Sequence, residues 1–123
     1  MQTPLKISFH GMEPSEALEA RVRDHAEYLE HLCDRITSCQ VVIDAPHRHS
    51  HKGQLYEARI QMRIPGHEIV VNREGPHDHA HEDPYVALRD AFSAAERKLE
   101  HIMALWERSS QREALAAGKD VRS

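Results

Sequence analysis

The sequence predicts an α+β domain whose elements follow in the order β-α-β-β-β-α, with a four-stranded mixed sheet and two helices packed on one of its faces. Two observations carry this. Three stretches alternate apolar and polar residues with the period of two that a half-buried strand requires, a short apolar run after a Pro-Gly turn begins a fourth strand, and two longer stretches repeat apolar residues at helical spacing. Glycine, proline and capping residues fall between them, so each stretch has a physical reason to stop.

Leu5, Ile7 and Phe9 alternate with Lys6, Ser8 and His10 in the first strand, which Gly11 ends. Pro14 and Ser15 open a helix with Glu13 or Ser15 as its N-cap. Its apolar stripe is Leu18, Val22, Ala26, Leu29, Leu32 and Cys33, ending at about residue 33. The opposite face carries Glu16, Arg23, Asp24, Glu27, Glu30 and His31 and is mostly acidic. Cys39, Val41, Ile43 and Ala45 mark a second strand over 36–45, after which Pro46, a histidine-rich stretch and Lys52-Gly53 turn the chain. Tyr56, Ala58, Ile60, Met62 and Ile64 point one way in the third strand, while Glu57, Arg59, Gln61 and Arg63 point the other. Pro65-Gly66 is a turn, and Ile69-Val70-Val71 begins the fourth strand. Asp83-Pro84 then starts the second helix as N-cap and first helical residue. Tyr85, Leu88, Phe92, Ala95, Leu99, Ile102, Met103 and Trp106 keep one of its faces apolar. Past Trp106 the chain turns polar and alanine-rich, which places one domain over 1–108 and a polar, frayed tail over 109–123.

Placing both helices on one face of the sheet buries every stripe. The first crossover makes strands one and two parallel. If successive strands are neighbours, the order is 1-2-3-4, and strands one, two and four run the same way. Their C-terminal ends then bring together His10, His47-Arg-His49-Ser-His51 and His77-Asp-His79-Ala-His81-Glu-Asp83.

A formal charge of −4 argues against bulk affinity for nucleic acid, and no DNA partner is expected. Eleven histidines make that balance pH-dependent. No apolar run approaches the roughly 18 residues of a membrane span, and the amino-terminal residues hold no apolar signal core, so a cytoplasmic location is expected. Cys33 and Cys39 read as buried reduced thiols, with a disulfide or a Cys/His metal pair as the lesser alternatives.

The histidine clusters admit three readings. His47, His49, His51, His77, His79 and His81, with Asp78, Glu82 and Asp83 nearby, offer ligand types that Zn²⁺ or another divalent metal takes in sets of about four. They could instead contact a partner's phosphates, or simply be solvated loop residues, and the spacing matches no established zinc signature. Neither a nucleophile in a recognisable arrangement, a glycine-rich phosphate loop nor HExxH occurs, so the chain is not read as an enzyme and no cofactor is required. On the second helix, Arg97, His101, Arg108 and Arg112 fall within about 60° of one another at 100° per residue, opposite the apolar stripe. That row suits RNA phosphates, and it equally suits the ordinary placement of cations near a helix C-terminus.

The segments "ISFHGME", "PSEALEARV", "DRITSCQVVI" and "HEDPYVALRDAFSAAERKLE" resemble the bacterial ribosome hibernation-promoting factor and ribosome-associated translation inhibitor family, also called sigma-54 modulation proteins. The resemblance covers nearly the whole chain up to the tail, and its most specific pieces are the glycine-methionine turn and the His-Glu-Asp-x-Tyr helix start. It implies a fold like a double-stranded-RNA-binding domain and binding of a monomer to the small ribosomal subunit and its rRNA, which restrains translation in stressed cells. It implies contacts from Arg21 and Arg23 in the first helix and from Arg89, Arg97, Lys98 and Arg108 in the second. It also implies a short form, without the extra C-terminal domain that longer members use to dimerise ribosomes. The chain departs from the family pattern in its acidic first helix and in the stretch after Lys98, where the family tends to be rich in lysine and arginine. The alternative is a histidine-rich, divalent-metal-binding regulatory module on the same fold.

Overall fold

The structure, a computed structural model, describes residues 4–45, 48–49, 53–72 and 82–122. In chain order the elements are β1 (Leu5–His10), α1 (Glu16–Leu32), β2 (Ser38–Asp44), β3 (Arg48–His49), β4 (Gly53–Gln54), β5 (Glu57–Ile64), β6 (His67–Val71) and α2 (Pro84–Arg122). The main sheet has the order β1-β2-β5-β6. β1 runs parallel to β2, while β2–β5 and β5–β6 are antiparallel. This is the α+β arrangement that the alternation and the two helical stripes predict.

Register fixes which residues face the helices. Ile7, Val41, Ile60 and Val71 line up across the four strands, as do Leu5, Cys39, Met62 and Ile69. Against these two rows pack Leu18, Val22, Ala26 and Leu29 of α1 and Leu88, Phe92, Ala95 and Leu99 of α2, all buried. Because strand side chains alternate between faces, the intervening row of Lys6, Gln40, Gln61 and Val70 lies on the face that carries no helix.

Both helices start as the sequence requires. Ser15, not Glu13, caps α1, its Oγ accepting from the Leu18 N–H at 3.2 Å. Asp83 does the same for α2, accepting from the Tyr85 N–H at 2.8 Å. The two helices run parallel, since contacts between them climb together: Arg21 with Tyr85, His25 with Phe92, and Tyr28 with Glu96.

Two features differ from the sequence reading. The connection after β2 was expected as a plain turn, yet Arg48 pairs with Gln54 and His49 with Gly53 in a small second sheet. The arms of a hairpin connection face each other, so backbone pairing can resume beyond the main sheet. Helical backbone also continues past residue 108 to Arg122, where a frayed tail was expected. Arginine, glutamate, glutamine, alanine and leucine dominate that stretch and hold helical geometry without an apolar stripe. Fraying of 109–123 remains an expectation about motion, separate from the helical trace.

His10 pairs with Asp44 and Val71 with Ile60, so β1, β2 and β6 run out toward the same end of the sheet. The expected meeting of the histidine clusters there lies outside the described residues, except for the backbone at 48–49.

Candidate nucleic-acid interface

The Asp83 cap fixes where α2 begins, and burial of Leu88, Phe92, Ala95 and Leu99 fixes its rotation. That rotation turns Arg97 and His101 outward beside β6, the outer strand of the sheet. Lys98 lies between α2 and that strand, its Nζ donating to the Val70 carbonyl oxygen at 2.6 Å. This bond occupies one of the carbonyls that an edge strand leaves unpaired. Arg97, Lys98 and His101 share a shallow groove of about 510 Å³ with Glu68, Val70 and Ile102. Arg97 also reaches a second hollow, about 490 Å³, between α2 and the ends of β5 and β6, beside Ala58, Val71, Asn72 and Asp90.

The remaining expected contact residues lie elsewhere. Arg21 sits over the Tyr85 ring, 5.2 Å from its centroid, and Arg89 follows Tyr85 by one helical turn on α2. Arg89 lies against Asp90 at 3.5 Å. Arg23 is held by Glu19 at 2.9 Å, an i,i+4 pair on the exposed surface of α1. Arg108 is exposed on α2 some 16 Å along the axis from Arg97 at 1.5 Å per residue. The structure therefore gathers Arg97, Lys98 and His101, sets Arg21 and Arg89 at the seam between the helices, and leaves Arg108 farther out.

Charge is divided across the molecule. Glu96 and Glu100 lie on the side of α2 turned to α1, where the Tyr28 hydroxyl donates to Glu96 Oε2 at 3.4 Å and the two glutamates hold the tyrosine pKa above its usual 10. The acids of α1 continue this surface. On the helix-free face of the sheet, Arg59 pairs with Asp44 and Arg63 with Glu68, each at 3.3 Å, so these arginines are partnered within the protein.

Sequence reasoning missed the aromatic supports. Arg35 stacks over Trp106 at 4.8 Å, and His25 stacks on Phe92 with centroids 4.9 Å apart. No sequence spacing joins residues so far apart. Cys33 and Cys39 are buried and free, and burial pushes the Cys39 thiol up to about 11, so it stays protonated at neutral pH. Among the described residues no three His, Cys, Asp or Glu side chains converge as a metal site. His47, His51, His77, His79 and His81 lie outside those residues, and His49 is described in backbone only.

Fold and site together define a small β-α-β-β-β-α domain with a cationic face on its second helix. Residues 5–104 match the family described as sigma 54 modulation protein / S30EA ribosomal protein, and the chain belongs to that family. Among solved structures it is similar to a ribosomal subunit interface protein from Coxiella burnetii, at TM-score 0.64 and 14% identity, over 83% of this chain and 99% of that one. It is also similar to the N-terminal domain of Protein Y from Thermus thermophilus, at TM-score 0.64 and 20% identity, over 82% and 99% of the two chains. At these identities the likeness is one of fold. No curated protein matches the chain.

Proposed function

We propose that this protein binds the small ribosomal subunit through its rRNA and restrains translation, favouring a resting state of the ribosome under stress. The observation that carries this reading is the family match across residues 5–104, which takes in α1, the whole main sheet and α2 as far as Ala104. The structural neighbour described as a ribosomal subunit interface protein supports a ribosomal partner. The protein acts as a cytoplasmic monomer with no cofactor, by occupying a surface rather than by chemistry. Among the described residues no helix is long and apolar enough to cross a membrane.

With a net charge of −4, binding depends on where the cations lie. Arg97, Lys98 and His101 on α2 face the RNA, and the acidic surface of α1 is turned away from it. Structured RNA is then recognised by shape and backbone. Sedimentation of the purified protein with isolated small subunits, large subunits and intact ribosomes tests the proposal. It predicts recovery with small subunits and intact ribosomes and a fall in translation in a reconstituted system. Protein left in the supernatant with small subunits at low salt would overturn it.

A further inference from the structure

The main sheet has two edges, and they are protected differently. β6, at one edge, is five residues long, and the Val70 carbonyl on its open side already accepts from Lys98 Nζ. β1, at the other, is six residues long and carries neither proline nor a bulge. Among the described residues it pairs with β2 alone.

The bonds at the two ends of β1 fix which of its backbone groups are used. The carbonyl oxygens of Pro4 and His10 accept from the Cys39 and Ala45 N–H groups, at 3.0 and 2.9 Å. Backbone groups alternate sides along a strand, so Lys6 and Ser8 also turn theirs toward β2. Leu5, Ile7 and Phe9 therefore turn their N–H and C=O outward, and no described residue bonds to them. The side chains of these same residues lie on the helix side, packed against the core yet partly exposed. Such an edge is a template for another strand.

A second copy of β1 satisfies it completely. With the two strands antiparallel about a two-fold axis, Ile7 of one copy faces Ile7 of the other, and Leu5 of each faces Phe9 of its mate. These become the hydrogen-bonded positions of an antiparallel ladder, so every outward N–H and C=O of the three residues finds a partner. On the helix side the register joins apolar to apolar. On the other side it sets Lys6 opposite Ser8, so the lysine of this strand meets no like charge directly across.

We propose that the free protein pairs with a second copy of itself through β1, joining the two main sheets into one. This goes beyond the ribosomal reading and does not depend on it: the monomer acts on the ribosome, and the pair is a form of the chain away from it. A contact of this two-fold kind closes at two copies. One six-residue edge makes a small interface, so the pairing is weak and rises with protein concentration.

The test follows the full chain by sedimentation equilibrium from low micromolar to near-millimolar concentration, with Ser8→Glu and Ser8→Lys variants alongside. Ser8 sits beside Val42 on the helix-free face, and the unfolding midpoint checks that both variants fold. The register predicts opposite effects. Ser8→Glu, opposite Lys6 of the other copy, should tighten the dimer severalfold, and Ser8→Lys should weaken it severalfold. Hydrogen exchange on the wild type supplies a second readout. The Leu5, Ile7 and Phe9 amides should gain protection as concentration rises, while those of Lys6 and Ser8 are protected throughout. A wild type that stays monomeric at every concentration would overturn the proposal and leave the edge to a strand from another protein. A dimer that responds alike to both substitutions, with no added protection at Leu5, Ile7 and Phe9, would overturn pairing through β1.

Discussion

His25 and Phe92 stack across the seam between α1 and α2, with ring planes 14° from parallel. Burial lowers the His25 pKa below its ordinary 6.5, Arg21 adds to the effect, and Asp24 opposes it. Between the lowered value and 6.5 the unfolded chain binds more protons than the folded one, so stability rises with pH across that window. The contribution is full above about 6.5 and is lost as pH falls toward the lowered value. Replacing His25 with Phe keeps an aromatic face and removes the titration. Urea midpoints measured from pH 7.5 to 5 should fall more for the wild type than for His25→Phe, and parallel curves would show that this ring does not couple to folding.

Gly11 and Gly66 both hold positive φ, 70° and 77°, but only Gly11 is crowded. A Cβ there would meet the Ala45 carbonyl oxygen at 2.5 Å, while one at Gly66 would meet nothing within 4 Å. Gly66→Ala should therefore cost only the left-handed strain, about 1–2 kcal/mol. Gly11→Ala must also displace the backbone just past β2, which is bonded to the end of β1, since the Ala45 N–H donates to His10 O at 2.9 Å. Chemical denaturation should rank Gly11→Ala as clearly the more damaging of the two.

Ser15→Ala removes the side-chain acceptor of the Leu18 N–H and Asp83→Ala that of the Tyr85 N–H. Each should lower stability by about 1 kcal/mol in urea titration. A negligible cost at Asp83 would mean that the start of α2 is held by other contacts.

Element order, both helical stripes and the caps were legible because each rests on a local rule: the period of two, helical spacing, or an acceptor just ahead of a helix. The β3–β4 ladder was not, because two-residue strands have no periodicity to detect. The length of α2 was missed because its end lacks an apolar stripe, although its residues favour helix. At the candidate site, the outward row of Arg97, His101 and Arg108 was readable from spacing. The neutralisation of Arg23 by Glu19 was also open to reading, the two being four residues apart. The Lys98–Val70 bond was not, since it depends on how α2 lies against the sheet edge.

Lys98 and Arg97 are neighbours with different duties. Lys98 already spends one donor on Val70, whereas Arg97 forms no ion pair among the described residues. Arg97→Gln should weaken binding to the small subunit more than Lys98→Gln does, while Lys98→Gln should have the larger effect on the unfolding midpoint. The opposite ranking in an equilibrium binding assay would move the contact to the β6 edge.

The central claim is that the outward face of α2 meets rRNA, and it is tested most directly by small-subunit binding of the wild type and Arg97→Glu/Arg108→Glu over a range of salt. The wild type should show a shallow salt dependence, equivalent to about three to five phosphate contacts, because a −4 protein commits few cations. The double variant should lose binding while keeping the wild-type unfolding midpoint, since both side chains are exposed. Undiminished binding of the folded double variant would contradict the account and leave this face of α2 as solvated surface.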